Sequence, residues 1–188
     1  MMEMDAINTG VAPGGLTNRT EIRVLICYLL NAIGEPIPYN FLTDKLSAEG
    51  IANYFELCDA IATLEENGNI TALVDSEGKK TYHISPSGAD IAATLERTVP
   101  LAVRDKACSY IIKLLARMRN EKENDVIITK EKRGYKVTCR VVDMGKELMG
   151  VSLLVPNEAC AKTVKESFLN NPTETFIKVT EALLDHKL

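Results

Sequence analysis

Histidine and cysteine are the residue types in this chain best suited to metal or nucleophilic chemistry, and their spacing favours neither. The two histidines, His83 and His186, lie far apart, and no cluster of ligands is near either one. The five cysteines are odd in number, no two have CxxC spacing, and most fall on apolar faces of predicted elements. They are Cys27, Cys58, Cys108, Cys139 and Cys160. We therefore expect no metal site and no disulfide framework, with reduced cysteines acting as small core residues.

The motifs of common enzyme classes are also missing from the sequence. It contains no GxxxxGK[ST], no GxSxG and no HExxH, and the glycines between Gly10 and Gly15 neither follow a strand nor have GxGxxG spacing. With two isolated histidines, a Ser–His–Asp arrangement has little support. The sequence therefore predicts no catalytic residues, no cofactor and no enzymatic activity.

The remaining candidates for binding chemistry lie on one predicted helix and one predicted hairpin. Asn53 and Tyr54 open the helix, Thr63 lies further along its exposed side, and Lys79 and Lys80 lie at the hairpin. Side chains at such positions contact base edges and phosphates when a helix and its adjacent hairpin meet DNA. Other interpretations remain open: Asn53 as a helix cap, Tyr54 as a residue packed over the preceding helix, and the lysines as a solvated turn.

The elements that must position these residues begin with a well-marked helix. Asn18 has the spacing of an N-cap with Glu21 three residues later, and Gly34 ends the helix. Its apolar residues recur on one helical face; they are Ile22, Leu25, Ile26, Leu29, Leu30 and Ile33. We expect Ile22, Leu25, Ile26 and Leu29 to be buried against Leu46, Ile61 and Leu64.

Four more elements follow within the first hundred residues. A second helix runs from about Tyr39 to Glu49, and a third, capped by Asn53, ends at Gly68. The hairpin strands are Ile70–Val74 and Lys80–Ile84, joined by a turn at residues 75–78, and a fourth helix opens at Ser85-Pro86. This order is typical of a winged helix-turn-helix, which we assign to residues 17–100 after a flexible tail at residues 1–16.

A long amphipathic helix, assigned to residues 101–119, follows the winged-helix region. Its apolar stripe is longer than one small domain needs, which predicts a homodimer; the alternative is that the stripe is covered within one chain. A polar hinge is expected from Asn120 to Asn124. The stripe residues assigned to the dimer interface are Tyr110, Ile111, Leu114, Leu115 and Met118.

Residues 120–188 have the pattern of a small α+β domain. The clearest strand alternates apolar and polar residues from Tyr135 to Val141. Strands at Val126–Thr129 and Leu148–Val155 flank it, and helices open at Asn157 and Asn171. The predicted fold class is therefore α+β: a winged helix-turn-helix, a long helix, and a three-stranded antiparallel meander with two helices.

Charge argues against DNA binding by the first half. Residues 1–100 hold six Lys or Arg against fourteen Asp or Glu, a net charge of −8, whereas residues 101–188 carry +4. The third helix has four acidic residues and no basic one. Because neutralisation of phosphates supplies most of the non-specific affinity for DNA, the cations that bind DNA must come from another part of the chain. The long helix offers Arg104, Lys106, Lys113, Arg117 and Arg119.

Several segments resemble a family of bacterial proteins, found in clostridia and related bacteria, that carries a domain-of-unknown-function label. The resemblance spans nearly everything from Gly14 to Leu184. It implies a first half similar to PadR-type and other winged-helix regulators, a regulatory role, and no catalytic residues. The segments that carry it are residues 15–30, Asn53-Tyr54-Phe55-Glu56, residues 64–70, Ser85-Pro86-Ser87-Gly88, Val99-Pro100, the strand around Tyr135, and residues 151–156.

These observations predict a dimeric DNA-binding transcription regulator whose C-terminal domain serves dimerisation or effector sensing. No apolar run approaches the length of about 20 residues that a membrane span needs, and the acidic start lacks secretory features, so we expect a cytoplasmic protein without membrane contact. The alternative is a winged-helix protein-interaction module that docks a basic partner on its acidic third helix and binds no DNA.

Overall fold

The computed structural model describes residues 11–74 and 78–184. Within these ranges the protein has seven helices and two three-stranded antiparallel sheets, a mixed α+β architecture. The chain divides into a first unit that reaches to Lys113 and a second that begins at Leu114. Most of the predicted tail, the hairpin turn at residues 75–77 and His186 lie outside the described residues.

The elements are numbered here in chain order. The first unit contains α1 (Arg19–Ile33), β1 (Ile37–Pro38), α2 (a π-helical segment, Phe41–Lys45, followed by an α-helical turn, Leu46–Ala48), α3 (Tyr54–Glu66), β2 (Ile70–Val74), β3 (Lys80–Ile84) and α4 (Pro86–Leu95). A 3-10 turn (Glu96–Thr98) precedes α5 (Leu101–Glu123), within which the two units divide. The second unit contains β4 (Asp125–Glu131), β5 (Gly134–Asp143), β6 (Lys146–Val155), α6 (Glu158–Asn170) and α7 (Pro172–Leu184).

The helix boundaries follow the predicted capping residues. The Asn18 side chain accepts hydrogen bonds from the first-turn amides of Thr20 and Glu21, and Gly34 ends α1 in the left-handed conformation. Ser85 caps α4 by accepting a hydrogen bond from the Gly88 amide. The structure therefore confirms these caps. They could be predicted from the sequence because a capping side chain binds amides only two or three residues away.

The core of the first unit lies where the apolar stripe of α1 places it. Leu25 is fully buried, and every residue predicted to pack with it is at most 2% exposed. The largest fully buried side chains of the described residues all belong to this unit. The residues of the predicted cluster are Ile22, Leu25, Ile26, Leu29, Leu46, Ile61 and Leu64.

The end of the predicted tail is part of the first unit. The Leu16 amide donates to the Ile51 carbonyl at 2.7 Å, and Leu16 is only 3% exposed. Two glycines permit this packing, because a Cβ on Gly15 would lie 2.5 Å from the Gly50 carbonyl oxygen. The prediction of a tail through residue 16 is therefore wrong at this end: the glycines that suggested a loose segment allow close backbone approach.

The sheet of the first unit has a short third strand that was not predicted from the sequence. β1 pairs with β3, with Ile37 opposite Tyr82 and Pro38 opposite Thr81, and β3 pairs with β2. The strand order is therefore β1-β3-β2. A strand of two residues is too short to show an alternating pattern, so periodicity could not indicate β1.

The second unit is the predicted meander with two helices. Its strand order is β4-β5-β6, and Val137, Cys139 and Val141 of β5 are buried as the alternation predicted. The core on that side of the sheet is completed by three residues of α6, namely Ala161, Phe168 and Leu169.

The predicted polar hinge after the long helix is wrong for most of its length. α5 continues to Glu123, and only Asn124 lies outside it. Asn120 donates from its side chain to the Leu169 carbonyl at 2.9 Å, and Arg117 forms an ion pair with Glu121 one turn later. Asn120 and Glu121 therefore continue the helix here, and each has a partner within the second unit. None of the helices in the described ranges is long and apolar enough to cross a membrane.

Candidate nucleic-acid interface

The start of α3 is organised by Asn53, the first of the predicted contact residues. Its side-chain oxygen accepts a hydrogen bond from the Phe55 amide at 2.8 Å, and the residue is only 8% exposed. This geometry is the capping role that the sequence analysis gave as its alternative. Asn53 therefore orients the first turn of α3, and little of its surface faces solvent.

Two aromatic residues follow Asn53 and are exposed. Tyr54 is 37% exposed and Phe55 is 76% exposed, and their rings meet edge to face with centroids 5.6 Å apart. Phe55 was not among the predicted contact residues. Its position in the sequence is off the inward stripe formed by Leu57, Ile61 and Leu64, and that spacing was the available signal.

A thiol and two tyrosines form a small polar cluster on one side of α3. The Tyr39 hydroxyl donates to the Cys58 sulfur at 3.3 Å, and this hydrogen bond, together with partial burial, raises the pKa of Tyr39. The pKa of Tyr54 is also raised, chiefly by its hydrogen bond with Cys58 and then by the nearby Asp44 carboxylate. Both tyrosines therefore remain neutral hydrogen-bonding groups at physiological pH.

Lys80, the second predicted hairpin contact, is held by α3 and β3. Its ammonium group lies 3.0 Å from the Glu65 carboxylate and 5.0 Å from the centre of the Tyr82 ring, while the Tyr82 hydroxyl donates to the same carboxylate at 2.8 Å. The hydrogen bonds from Lys80 and Tyr82 lower the pKa of Glu65. The contacts with Tyr82 and Glu65 raise the pKa of Lys80. Lys80 is thus a fixed cation.

The polar cluster and the Lys80 contacts border the same cavity, which has a volume of about 200 Å³. Because α3 and the sheet supply its walls, the cavity joins the candidate helix to the candidate hairpin. Sequence reasoning had not linked these residues, since they are far apart in the chain. The lining residues are Tyr39, Cys58, Ile61, Ala62, Glu65, Lys80 and Tyr82.

Two of the other three carboxylates of α3 are also paired with cations. The Arg19 guanidinium binds Glu56 with two hydrogen bonds of 2.8 and 3.2 Å, and Glu56 is only 8% exposed. Arg23 lies 3.8 Å from Asp59. The acidic character of α3 is therefore largely balanced within the first unit, which its residue count alone did not reveal.

The remaining predicted contacts, Thr63 and Lys79, have different surroundings. The Thr63 hydroxyl donates to the Asp59 carbonyl one turn earlier at 2.9 Å, a bond internal to α3. Lys79 is exposed beside the start of β3. The structure thus brings Lys80 and the side of α3 together, while the Thr63 hydroxyl is engaged by a backbone carbonyl of its own helix.

The five residues of the predicted dimer stripe on α5 differ in their exposure to solvent. Ile111 is fully buried and Leu115 is 2% exposed within one chain. Tyr110, Leu114 and Met118 are half-buried. Two of the five residues therefore contribute to packing within the chain, and only the other three retain surface for a second copy.

The described part of the chain contains no group of three or more His, Cys, Asp or Glu residues placed to hold a metal ion. All five cysteines are free thiols. Burial raises the pKa of Cys27 to about 11 and also raises the pKa of Cys139. These two thiols therefore stay protonated in the cores of the two units, as their apolar positions predicted.

Comparisons with known proteins give one informative match. Neither the curated proteins nor the solved structures contain a significant match to this chain. A family model described as "Domain of unknown function (DUF4364)" matches residues 22–183, which is most of the sequence. The chain therefore belongs to the DUF4364 family.

Proposed function

We propose that this protein is a DNA-binding transcription regulator whose first unit is a winged helix-turn-helix similar to that of PadR-type regulators. The observation that supports this best is the order of elements. Three helices are followed by a hairpin, and the short strand β1 between α1 and α2 extends the sheet of that hairpin. In a winged helix, the same arrangement fixes the wing beside the third helix. In this proposal α3 is the recognition helix and β2–β3 is the wing.

The contacts assigned to DNA follow from exposure. Tyr54 is the exposed predicted residue at the start of α3, while Lys79 and Lys80 supply the wing. Asn53 supports these contacts by capping the helix, since its side chain accepts a hydrogen bond from the Phe55 amide. The Thr63 hydroxyl is engaged by the Asp59 carbonyl of the same helix. Pairing of Glu56, Asp59 and Glu65 with cations reduces the repulsion between α3 and phosphates.

A homodimer is part of the proposal, with the second unit serving dimerisation or effector sensing. Tyr110, Leu114 and Met118 keep apolar surface on α5, and a two-fold dimer presents two recognition helices to paired half-sites. Light scattering coupled to size exclusion tests this directly, and a monomer mass at tens of micromolar contradicts it. The function also requires a cytoplasmic location, as the sequence analysis expected.

One observation favours a second candidate function, a winged-helix module that docks a protein. Phe55 is 76% exposed beside Tyr54, and exposed aromatic pairs are typical anchors of protein interfaces. In this alternative the start of α3 and its acidic residues bind a basic protein partner, and no DNA is bound.

The experiment that separates the two combines genomic recovery with variants of the Lys80–Glu65 pair. DNA crosslinked to the tagged protein is sequenced, and binding of a recovered duplex is measured by fluorescence anisotropy over a salt series. The double substitution Lys79→Gln with Lys80→Gln should weaken binding to all sequences and reduce the salt slope by roughly two, one for each phosphate contact.

Glu65→Gln is the matched control, because it breaks the same ion pair but keeps both cations. Its affinity for DNA should equal or exceed that of the wild type. If no genomic site is enriched and no duplex is bound, the protein-docking function is the better account. If sites are enriched but both variants bind like the wild type, the wing is not a DNA contact.

A further inference from the structure

The tip of the β4–β5 hairpin carries a concentration of positive charge in the second unit. Lys130, Lys132, Arg133 and Lys136 lie within seven residues, with Glu131 as the single acidic residue among them. All four cations are exposed. We refer to them as the hairpin cations.

Unlike several other basic residues of the same unit, the hairpin cations form no ion pair with a carboxylate among the described residues, although Lys130 is close enough to Glu158 to contribute to the lowering of its pKa. Arg117 forms ion pairs with Glu121 and Glu166, and Arg140 lies near Asp125 and Glu147. Similar pairs join Lys162 to Glu158 and Lys178 to Glu174. A ligand anion that approaches Lys132, Arg133 or Lys136 therefore does not have to break an ion pair.

The backbone holds these cations in a fixed arrangement. β4 ends at Glu131 and β5 begins at Gly134, so Lys132 and Arg133 form a tight turn. Gly134 has a φ of +137°, and a Cβ there would lie 2.2 Å from the Val155 carbonyl oxygen, so the base of the turn packs closely on the end of β6.

The strand register directs the cations away from one another. Lys130 is opposite Tyr135, and Lys136 is opposite Thr129, so consecutive registers place these two lysines on opposite faces of the sheet. β6 pairs with β5 as far as Tyr135, which is opposite Val155, so the hairpin is part of the three-stranded sheet. Positive charge therefore lies on both faces at this end of the sheet, and Lys132 and Arg133 add to it in the exposed turn.

We propose that the hairpin cations bind the phosphate backbone of duplex DNA, as a contact separate from the winged helix. This inference rests on the proposed function, because it supplies the cations that a first half of net charge −8 lacks. Lysine and arginine side chains bind phosphate oxygens without reading the base sequence, and four exposed cations within seven residues supply several such contacts at one place. The turn itself carries no aromatic or aliphatic residue, so it lacks the apolar anchors of a membrane-inserting segment.

The test uses the full chain and a 25-base-pair duplex, with affinity measured by fluorescence anisotropy over a salt series. The triple substitution Lys130→Gln, Lys132→Gln and Arg133→Gln should weaken binding and reduce the salt slope by roughly three. The matched control removes the same charge from paired residues of the same unit, as Arg140→Gln, Lys162→Gln and Lys178→Gln. It should change the slope much less. Thermal melts followed by circular dichroism confirm that both variants are folded.

The outcomes separate this inference from the proposed function. If the triple variant keeps the wild-type slope while Lys79→Gln with Lys80→Gln lowers it, the hairpin contact is wrong and the winged-helix contact stands. If the triple variant lowers the slope but no genomic site is preferred, the hairpin contact is supported and the regulator function fails. Absence of duplex binding by the wild type at 50 mM salt overturns both. If the triple variant loses binding to phosphatidylserine vesicles but binds the duplex like the wild type, the hairpin is a membrane contact and the inference is overturned.

Discussion

The two units of this protein differ in how their charged residues are paired. In the first unit, Arg19, Arg23 and Lys80 each pair with a carboxylate of α3. In the second unit, the hairpin cations form no ion pair among the described residues, although Lys130 contributes to the lowering of the pKa of Glu158. The half with net charge −8 therefore contains a helix whose charges are largely balanced, whereas the half with +4 presents cations outside ion pairs at the end of one hairpin. A count of charged residues shows which half carries excess positive charge. Only the pattern of ion pairs shows which surface attracts anions.

The units also differ in the depth of their cores. The first unit holds all of the largest fully buried side chains of the described residues, including Tyr82 and Leu25. The second unit rests on a sheet covered on one face, where Val137 and Phe168 are central. Disruption of either core tests this comparison, and we expect a larger loss of stability in the first.

The largest effect is expected for Leu25→Asp, at a position that is fully buried in the first unit. An unpaired buried carboxylate costs several kcal/mol, or about 5 kcal/mol here, which is comparable with the total stability of a domain of roughly 5–15 kcal/mol. Circular dichroism melts should therefore show a first unit that is unfolded at ambient temperature. Leu101→Asp is the control, because Leu101 is 61% exposed at the start of α5. Equal melting of the two variants would mean that the core face of α1 is misassigned.

A smaller loss is expected for Phe168→Ala in the second unit. Phe168 is 4% exposed, and truncation of a buried aromatic side chain to Ala costs about 3–5 kcal/mol. Hydrogen exchange followed by mass spectrometry should show lost protection in peptides of β5 and α6. Leu183→Ala, at an 81% exposed position on α7, should leave the exchange pattern unchanged. Faster exchange confined to peptides of α1 and α3 would contradict the assignment of Phe168 to the core of the second unit.

The smallest effect is expected when the pH is lowered, and it tests the ion pair between Glu65 of α3 and Lys80. The pKa of Glu65 is lowered from its ordinary value of 4.5 by Lys80 and Tyr82, so its ionised form stabilises the folded state. That contribution is present above pH 4.5 and is lost as the pH falls through the lowered pKa of the folded protein. The difference in urea midpoint between wild type and Glu65→Gln should therefore shrink between pH 7 and pH 3.

Glu66→Gln is the control for the acid experiment, because Glu66 is the adjacent carboxylate of α3 and is exposed. Its urea midpoint should follow that of the wild type across the same pH range. A Glu65→Gln difference that stays constant with pH would show that the Lys80–Glu65 contact does not form in solution.

Local patterns in the sequence predicted a large part of the fold. The caps at Asn18 and Ser85 were identified correctly, and Asn171, where a helix was predicted to open, accepts a hydrogen bond from the Glu174 amide at the start of α7. The alternation from Tyr135 to Val141 gave both the strand and its buried face. Each of these features depends on neighbours within a few residues, so the sequence contains the whole signal.

Features that depend on distant partners were missed or misjudged. Gly15 was assigned to a tail, although Gly50 allows the backbone to pack against it. Asn120 was assigned to a hinge, although the Leu169 carbonyl accepts its amide and the helix continues. Phe55 was passed over, because nothing in the sequence shows that neighbouring elements leave it exposed.

For this protein, the sequence by itself determined the α+β class, most helices and strands, the buried face of α1 and the charge surplus of each half. The tertiary structure alone decided which charges are balanced. Glu56 and Glu65 lie on α3, but Arg19 and Lys80 come from α1 and β3, 37 and 15 residues away in the chain. Helical and strand periodicities arise from local backbone geometry, whereas ion pairs depend on which elements the folded chain places within a few ångströms of each other.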